Sequence, residues 1–144
     1  AICAVGYGRI RRVGGGGDRL VAGAAAVLAI AFISPLCALS SALFSARVVH
    51  HALLVVVAAP LLAFALPLTP RRPRLVMWTG VHAAVFWLWH APALYDASLR
   101  SSAVHGIQHV CFFGSALLFW WVTVVAGLLM LAATAGCEIV PKIR

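Results

Sequence analysis

Acidic side chains are almost absent: Asp18, Asp96 and Glu138 are the only three in 144 residues. Two of them belong to the basic ends of the apolar runs, so the chain offers no carboxylate pair for general acid and base work and no credible Ser/His/Asp triad. That excludes hydrolytic catalysis, and no enzymatic activity is expected. Cysteine is equally sparse, and Cys3, Cys37, Cys111 and Cys137 have neither zinc-finger nor redox-motif spacing. Charged residues make up only 10% of the chain against 64% hydrophobic, with a mean hydropathy of +1.05. So little polar surface cannot close a soluble globule, and the chain reads as an integral membrane protein.

What is abundant is apolar sequence in long runs, at about 20–39, 48–68, 75–91 and 104–122. Three approach the roughly 20 residues a helix needs to cross about 30 Å of hydrocarbon, and the third run, at about 17, is at the short end. Pro, Arg and Ser punctuation between them favours helices over barrel strands, which show alternating segments of about ten residues. In lipid each run must satisfy its own backbone as a helix. The expectation is a single all-α membrane domain over 1–144, a bundle of about four transmembrane helices. Residues 1–19 read as the tail of a missing upstream span followed by a basic linker that includes Gly14 to Gly17. Trp120 and Trp121 lie about 24 Å along a helix from Val104, which puts them at the inner interface and ends the fourth span near Val122. For 123–135 three readings stay open: an extension of the helix, an interfacial segment, or the stump of another span.

The net charge of +8 is explained by topology. Arg9, Arg11, Arg12, Arg19, Arg71, Arg72, Arg74, Lys142 and Arg144 fall on one side of the runs, and only Arg47 and Arg100 on the other. That asymmetry is the positive-inside pattern and predicts both ends in the cytoplasm. The partner it implies is the lipid bilayer, not nucleic acid, whose binding needs a concentrated basic footprint.

With that topology, five of six histidines share one depth. His50 and His51 begin the second span from the outer side, His90 ends the third, and His105 and His109 begin the fourth. All lie within about two helical turns of the outer boundary. Imidazoles at membrane depth need partners or a task. His105 and His109, four apart, share a helix face with spacing that suits one ion. His50 and His51 are about 100° apart, so one of the two, His51, is expected to face inward. The candidate metal ligands are His51, His90, His105 and His109, with Cys37 near the outer end of the first span. Neutral imidazole suits copper, zinc, iron and nickel alike, and a thiolate from Cys37 would tilt the choice toward Cu(I). Cys111 is turned about 200° from His109 and reads as ordinary packing. Against the metal reading stands a plainer one, in which headgroup-level imidazoles bond lipid, water or a neighbouring carbonyl.

Other positions carry smaller expectations. His82, about 12 Å deeper than His90, reads as an interhelical hydrogen-bond partner, with a proton relay as the alternative. Pro35 and Pro60 should each kink a helix. Trp87, Trp89 and Tyr95 read as an outer aromatic belt. Asp96 and Arg100, four apart, suggest a short interfacial helix with one ion pair; alternatively Asp96 orients a ligating histidine. Two further functions stay open: a membrane cytochrome holding haem b between two histidines, and a small proton-coupled transporter using His82.

Three strings carry a family resemblance: SPLCALSSALFSARVVHHALLVVVAAPLLA over 34–63, WLWHAPALYDASL over 87–99, and HGIQHVCFFGSALLFWW over 105–121. They resemble the polytopic cytochrome c oxidase assembly factors of the CtaG type. The resemblance implies a factor of the bacterial inner membrane that helps build the copper centre of a respiratory oxidase, with an oxidase subunit or copper carrier as partner. His51, His90, His105 and His109 match the family's histidine positions. The chain departs from the family at Arg47, where a histidine is usual, at His50, where a glutamine is usual, and at Cys37, which replaces a carboxylate. A fixed cation at Arg47 would disfavour a second cation nearby.

Overall fold

The computed structural model describes residues 14–66 and 74–134. Every regular element among them is helical, as the unbroken apolar runs require. The elements are α1 (Gly14–Ile33), α2 (Leu36–Ala42), α3 (Phe44–Ala65), α4 (Leu75–His90), α5 (Pro92–Arg100) and α6 (Ser102–Thr134). The protein is an all-α membrane protein. α1, α3 and α6 contain segments long and apolar enough to cross a bilayer: Gly16–Ile33, Phe44–Ala65 and Ser102–Leu128. α4, with 16 residues, reaches about 24 Å and stops short of a full hydrocarbon thickness.

Local chemistry sets the breaks. Ser34 Oγ donates back to the Ile30 carbonyl and accepts from the Leu36 amide at 3.3 Å, closing α1 and opening α2. Pro35, expected only to kink the first helix, stands at a full break between the two. Leu43 is extended, at φ −120° and ψ 125°, and separates α2 from α3. Ala91, held extended by the following Pro92, separates α4 from α5. Ser101 then starts α6, with its carbonyl accepting from the His105 amide at 3.0 Å. Asp96 and Arg100 form the anticipated ion pair on α5 at 3.5 Å, both side chains mostly exposed.

α3 is one helix with an internal π turn over Leu53–Ala58. The Ala59 amide bonds the Leu54 carbonyl, five residues back. In the same register the next donor would be residue 60, a proline with no N–H. The Val55 carbonyl is therefore left without a donor from its own helix, and Trp120 Nε1 of α6 donates to it at 2.8 Å. A π turn beside a functional or strained position is a recurrent helix feature. Trp120 thus bonds across the bundle to α3, where Pro60 leaves an acceptor. α6 continues past Val122 to Thr134, so of the three readings for 123–135 the helical extension is the observed one through 134. Gly14 to Gly17 likewise open α1 instead of forming a linker, while the anticipated upstream tail at 1–13 lies outside the described residues.

The helices pack in the order α1, α3, α6, α4, each against the next. Ala24 and Ala31 of α1, Ala58, Ala59 and Ala63 of α3, and Ala116 of α6 are buried along these seams. Small side chains let helix backbones approach where lipid offers no hydrophobic drive to association. Leu54, Phe112 and Val122 fill the space between them. The many exposed large apolar residues, among them Ile33, Phe44, Val76, Trp87 and Val110, suit a surface facing acyl chains. In this arrangement the C-terminal ends of α1 and α4 meet the N-terminal ends of α3 and α6.

Candidate functional site

That meeting end gathers imidazoles. His50 and His51 come from α3, His105 and His109 from α6, and Phe32 and Phe112 stand beside them from α1 and α6. The His50 and His109 rings approach to 4.5 Å between centroids, His105 and His109 to 4.3 Å, and His51 and His109 to 5.3 Å. Phe32 packs edge-on against His50 at 5.3 Å and against His109 at 5.5 Å, while Phe112 lies 4.8 Å from His51. His109 is the hub.

Both neighbours on α3 take part. His50 is fully buried and His51 half-buried, whereas spacing alone pointed to His51. The reason is that α3 is covered on two sides: Phe32 of α1 receives His50, and Phe112 of α6 receives His51. Positions about 100° apart on a helix can both face protein under those conditions.

His90 departs from its expected role. It is exposed, its Nδ1 bonds the Phe86 carbonyl at 2.7 Å, and its ring leans on Phe86 at 4.2 Å and Phe112 at 6.1 Å. Its place is the rim. Cys37 is a free, half-buried thiol on α2 whose own carbonyl accepts from Ser40 Oγ at 2.7 Å, and Cys111 is likewise free. Among the described residues no three His, Cys, Asp or Glu side chains converge closely enough to hold a metal ion as they stand. The imidazoles instead pack at steep mutual angles: 84° for His105 with His109, 69° for His51 with His109.

The cluster is short of hydrogen bonds. Both nitrogens of His50 and of His105, and Nε2 of His51 and of His109, are buried without a partner. Gln108 Oε1 and Arg47 Nη2, at the same end, share that condition. Unpaired buried polar atoms each cost a free energy comparable to a lost hydrogen bond, and eight of them gather at this end of the bundle. Gln108, one residue before His109, was not singled out by spacing. The signal available was a lone amide inside an apolar run, between two histidines.

Arg47, on α3 one turn from His50 and His51, is only 3% exposed. Its Nε donates to the Ser40 carbonyl at 3.0 Å, Nη1 reaches Ser98 Oγ at 3.5 Å, and the guanidinium lies over the Tyr95 ring at 4.7 Å. Tyr95 is therefore a cation partner and not a belt residue, and Trp89, 7% exposed, is buried as well. Of the three expected belt aromatics, Trp87, at 73% exposed, is the one turned outward. Deeper in the bundle His82 Nδ1 bonds Ser115 Oγ at 2.9 Å and stacks on Phe119 at 5.5 Å. This is the anticipated interhelical bond, between α4 and α6.

A family model described as cytochrome c oxidase caa3 assembly factor (Caa3_CtaG) matches residues 4–135. No curated protein and no solved structure matches the chain.

Proposed function

The chain belongs to the cytochrome c oxidase caa3 assembly factor family, and from that premise we propose that it helps build the oxidase's copper centre through the imidazole cluster on α3 and α6. The observation that carries this reading is the set of six buried imidazole nitrogens without partners, on two helices, centred on His109. Neutral imidazole is a competent copper ligand. His50, His51, His105 and His109 would hold the ion once their rings turn from edge-on packing toward a common point, and His90 at the rim lies where an ion would enter or leave. A bound copper ion would supply the cargo, and the chain's residues would supply its holding, its desolvation and its release.

The charge at Arg47 bears on which ion is taken. A fixed cation one helical turn away repels a divalent ion twice as strongly as a monovalent one at equal distance, which favours Cu(I) over Zn(II) even though Cys37 stands apart. The role is one of assembly and not of catalysis. Its site faces the outside of a bacterial inner membrane, α4 serves as a short fourth crossing, and the partner is an oxidase subunit or copper carrier. Haem b asks for a planar macrocycle between two imidazoles, and the His50 and His109 rings are already in contact. A transport relay through His82 would have to break its bond to Ser115.

The test is competition of the detergent-purified, full-length protein with a Cu(I) chromophoric chelator. Wild type is expected to withdraw copper from the chelator and the H50A/H109A double variant to fail. Equal withdrawal by the two proteins would refute the proposal.

A further inference from the structure

Among the described residues Arg47 has no acid to neutralise it. Among the described residues the acids are Asp18 and Asp96. Asp96 is committed to Arg100 near the surface. Asp18 lies 14 positions before Phe32 on α1, about 21 Å from the cluster along the helix. Glu138 lies outside the described residues. The groups that do meet the guanidinium, the Ser40 carbonyl, the Ser98 hydroxyl and the Tyr95 ring face, are neutral dipoles. A guanidinium buried to 3% exposure in the membrane-embedded part of a protein is expensive unless its charge is met.

The geometry of its free edge is informative. Nε is fully used by Ser40, but Nη2 has no partner and Nη1 reaches Ser98 only at the 3.5 Å limit. Ser98 Oγ itself donates to the Tyr95 carbonyl at 2.7 Å. The fork formed by Nη1 and Nη2 is thus buried and largely unmet, and that fork is the one that matches two oxygens of a carboxylate or phosphate. The fork therefore carries a fixed positive charge and unused N–H donors of its own, and no carboxylate among the described residues meets it.

We infer that Arg47, through the Nη1 and Nη2 edge of its guanidinium, forms a binding site for a phosphate oxyanion at the histidine end of the bundle. The site lies in the second turn of α3 from its end, at a depth where headgroup phosphates are close, so the oxyanion has two sources, a phospholipid headgroup or free inorganic phosphate. Ser40 of α2 and Ser98 of α5 hold the guanidinium from either side, so these two short helices cover the site. The inference stands independently of metal, since the fork and its missing counter-charge remain whether or not an ion occupies the imidazoles.

The experiment uses full-length protein in neutral detergent, stripped of metal by chelator. Radiolabelled inorganic phosphate is measured by equilibrium dialysis at constant ionic strength, and retained phospholipid is counted by native mass spectrometry. Wild type is expected to bind one phosphate group in one of the two forms, saturably. R47Q should weaken it by at least about tenfold, the loss expected for a charge-assisted bond, while the exposed R100Q change leaves it intact. R47K keeps the charge without the fork and guards against a folding defect in R47Q, since it should bind more weakly than wild type but more tightly than R47Q. Saturable uptake of free phosphate identifies that source, and a retained lipid lost from R47Q identifies the other. Folded wild type that binds neither, or binding equal in wild type, R47Q and R47K, would overturn the inference.

Discussion

Trp120 of α6 donates its indole N–H to the main-chain carbonyl of Val55 on α3 at 2.8 Å, and that carbonyl is free to accept because Pro60, five residues on, has no N–H to offer. A proline and a tryptophan on different helices thus solve one backbone problem jointly. In lipid an unpaired carbonyl is not rescued by water, so this bond ties α6 to α3 below the histidine cluster.

Replacing Trp120 by Phe should destabilise the bundle by about 1 kcal/mol, the range for a buried hydrogen bond lost from one side. The loss should be smaller in a P60A background, where an amide at position 60 supplies the missing donor. Unfolding in mixed detergent micelles of wild type, W120F, P60A and the double variant measures this as a coupling. Simple additivity of the two single changes would show that Pro60 and Trp120 do not share the carbonyl.

His82 is structural in this account. H82A or S115A should cost about 0.6 to 1.7 kcal/mol, the span measured for interhelical side-chain bonds in membranes, while copper withdrawal by the folded protein stays at the wild-type level. Loss of copper binding in folded H82A would reassign this histidine to the site.

Arg47 sets ion preference through its charge. R47H, which restores the residue the family resemblance expects, removes that charge and adds an imidazole. Zinc affinity, measured by competition with a fluorescent chelator, should rise by at least about tenfold on Coulombic grounds. Unchanged zinc affinity would mean that the guanidinium is screened from the imidazoles.

The Asp96–Arg100 pair should matter little. Both side chains are mostly exposed and four apart on α5, so D96N is expected to change stability by less than about 0.5 kcal/mol. A larger fall in unfolding midpoint would point to a second partner for Asp96.

Much of this was legible in the letters because periodicity in a membrane has few solutions. Apolar runs of spanning length at about 20–39, 48–68, 75–91 and 104–122 pointed to helices, and the positions of five histidines pointed to the ends that meet, whereas the full break at Ser34-Pro35 was expected only as a kink. His105 and His109 sharing one helix face and the bond from His82 to its neighbouring helix were both expected, whereas the central place of His109 was not. What the letters hid depends on neighbours. His50 faces inward because Phe32 of α1 covers it, which no spacing on α3 reveals. Arg47, expected in an outer loop as a topological charge, is buried because two short helices fold over it. His90 turns to its own helix, where the Phe86 carbonyl is nearer than any imidazole. Trp120 was placed by its preference for an interface, and the acceptor it bonds exists only because a proline shifts the register of another helix.

The most direct test of the central claim is the copper content of the full-length protein, purified in detergent under reducing conditions, beside the same protein carrying H109A. Because His109 touches His50, His51 and His105, one Cu(I) per wild-type chain and a loss of at least about tenfold in affinity in the variant are expected, on the scale of a lost metal-site interaction. A folded wild-type protein that binds no copper, or an H109A protein that binds it equally well, would contradict the account.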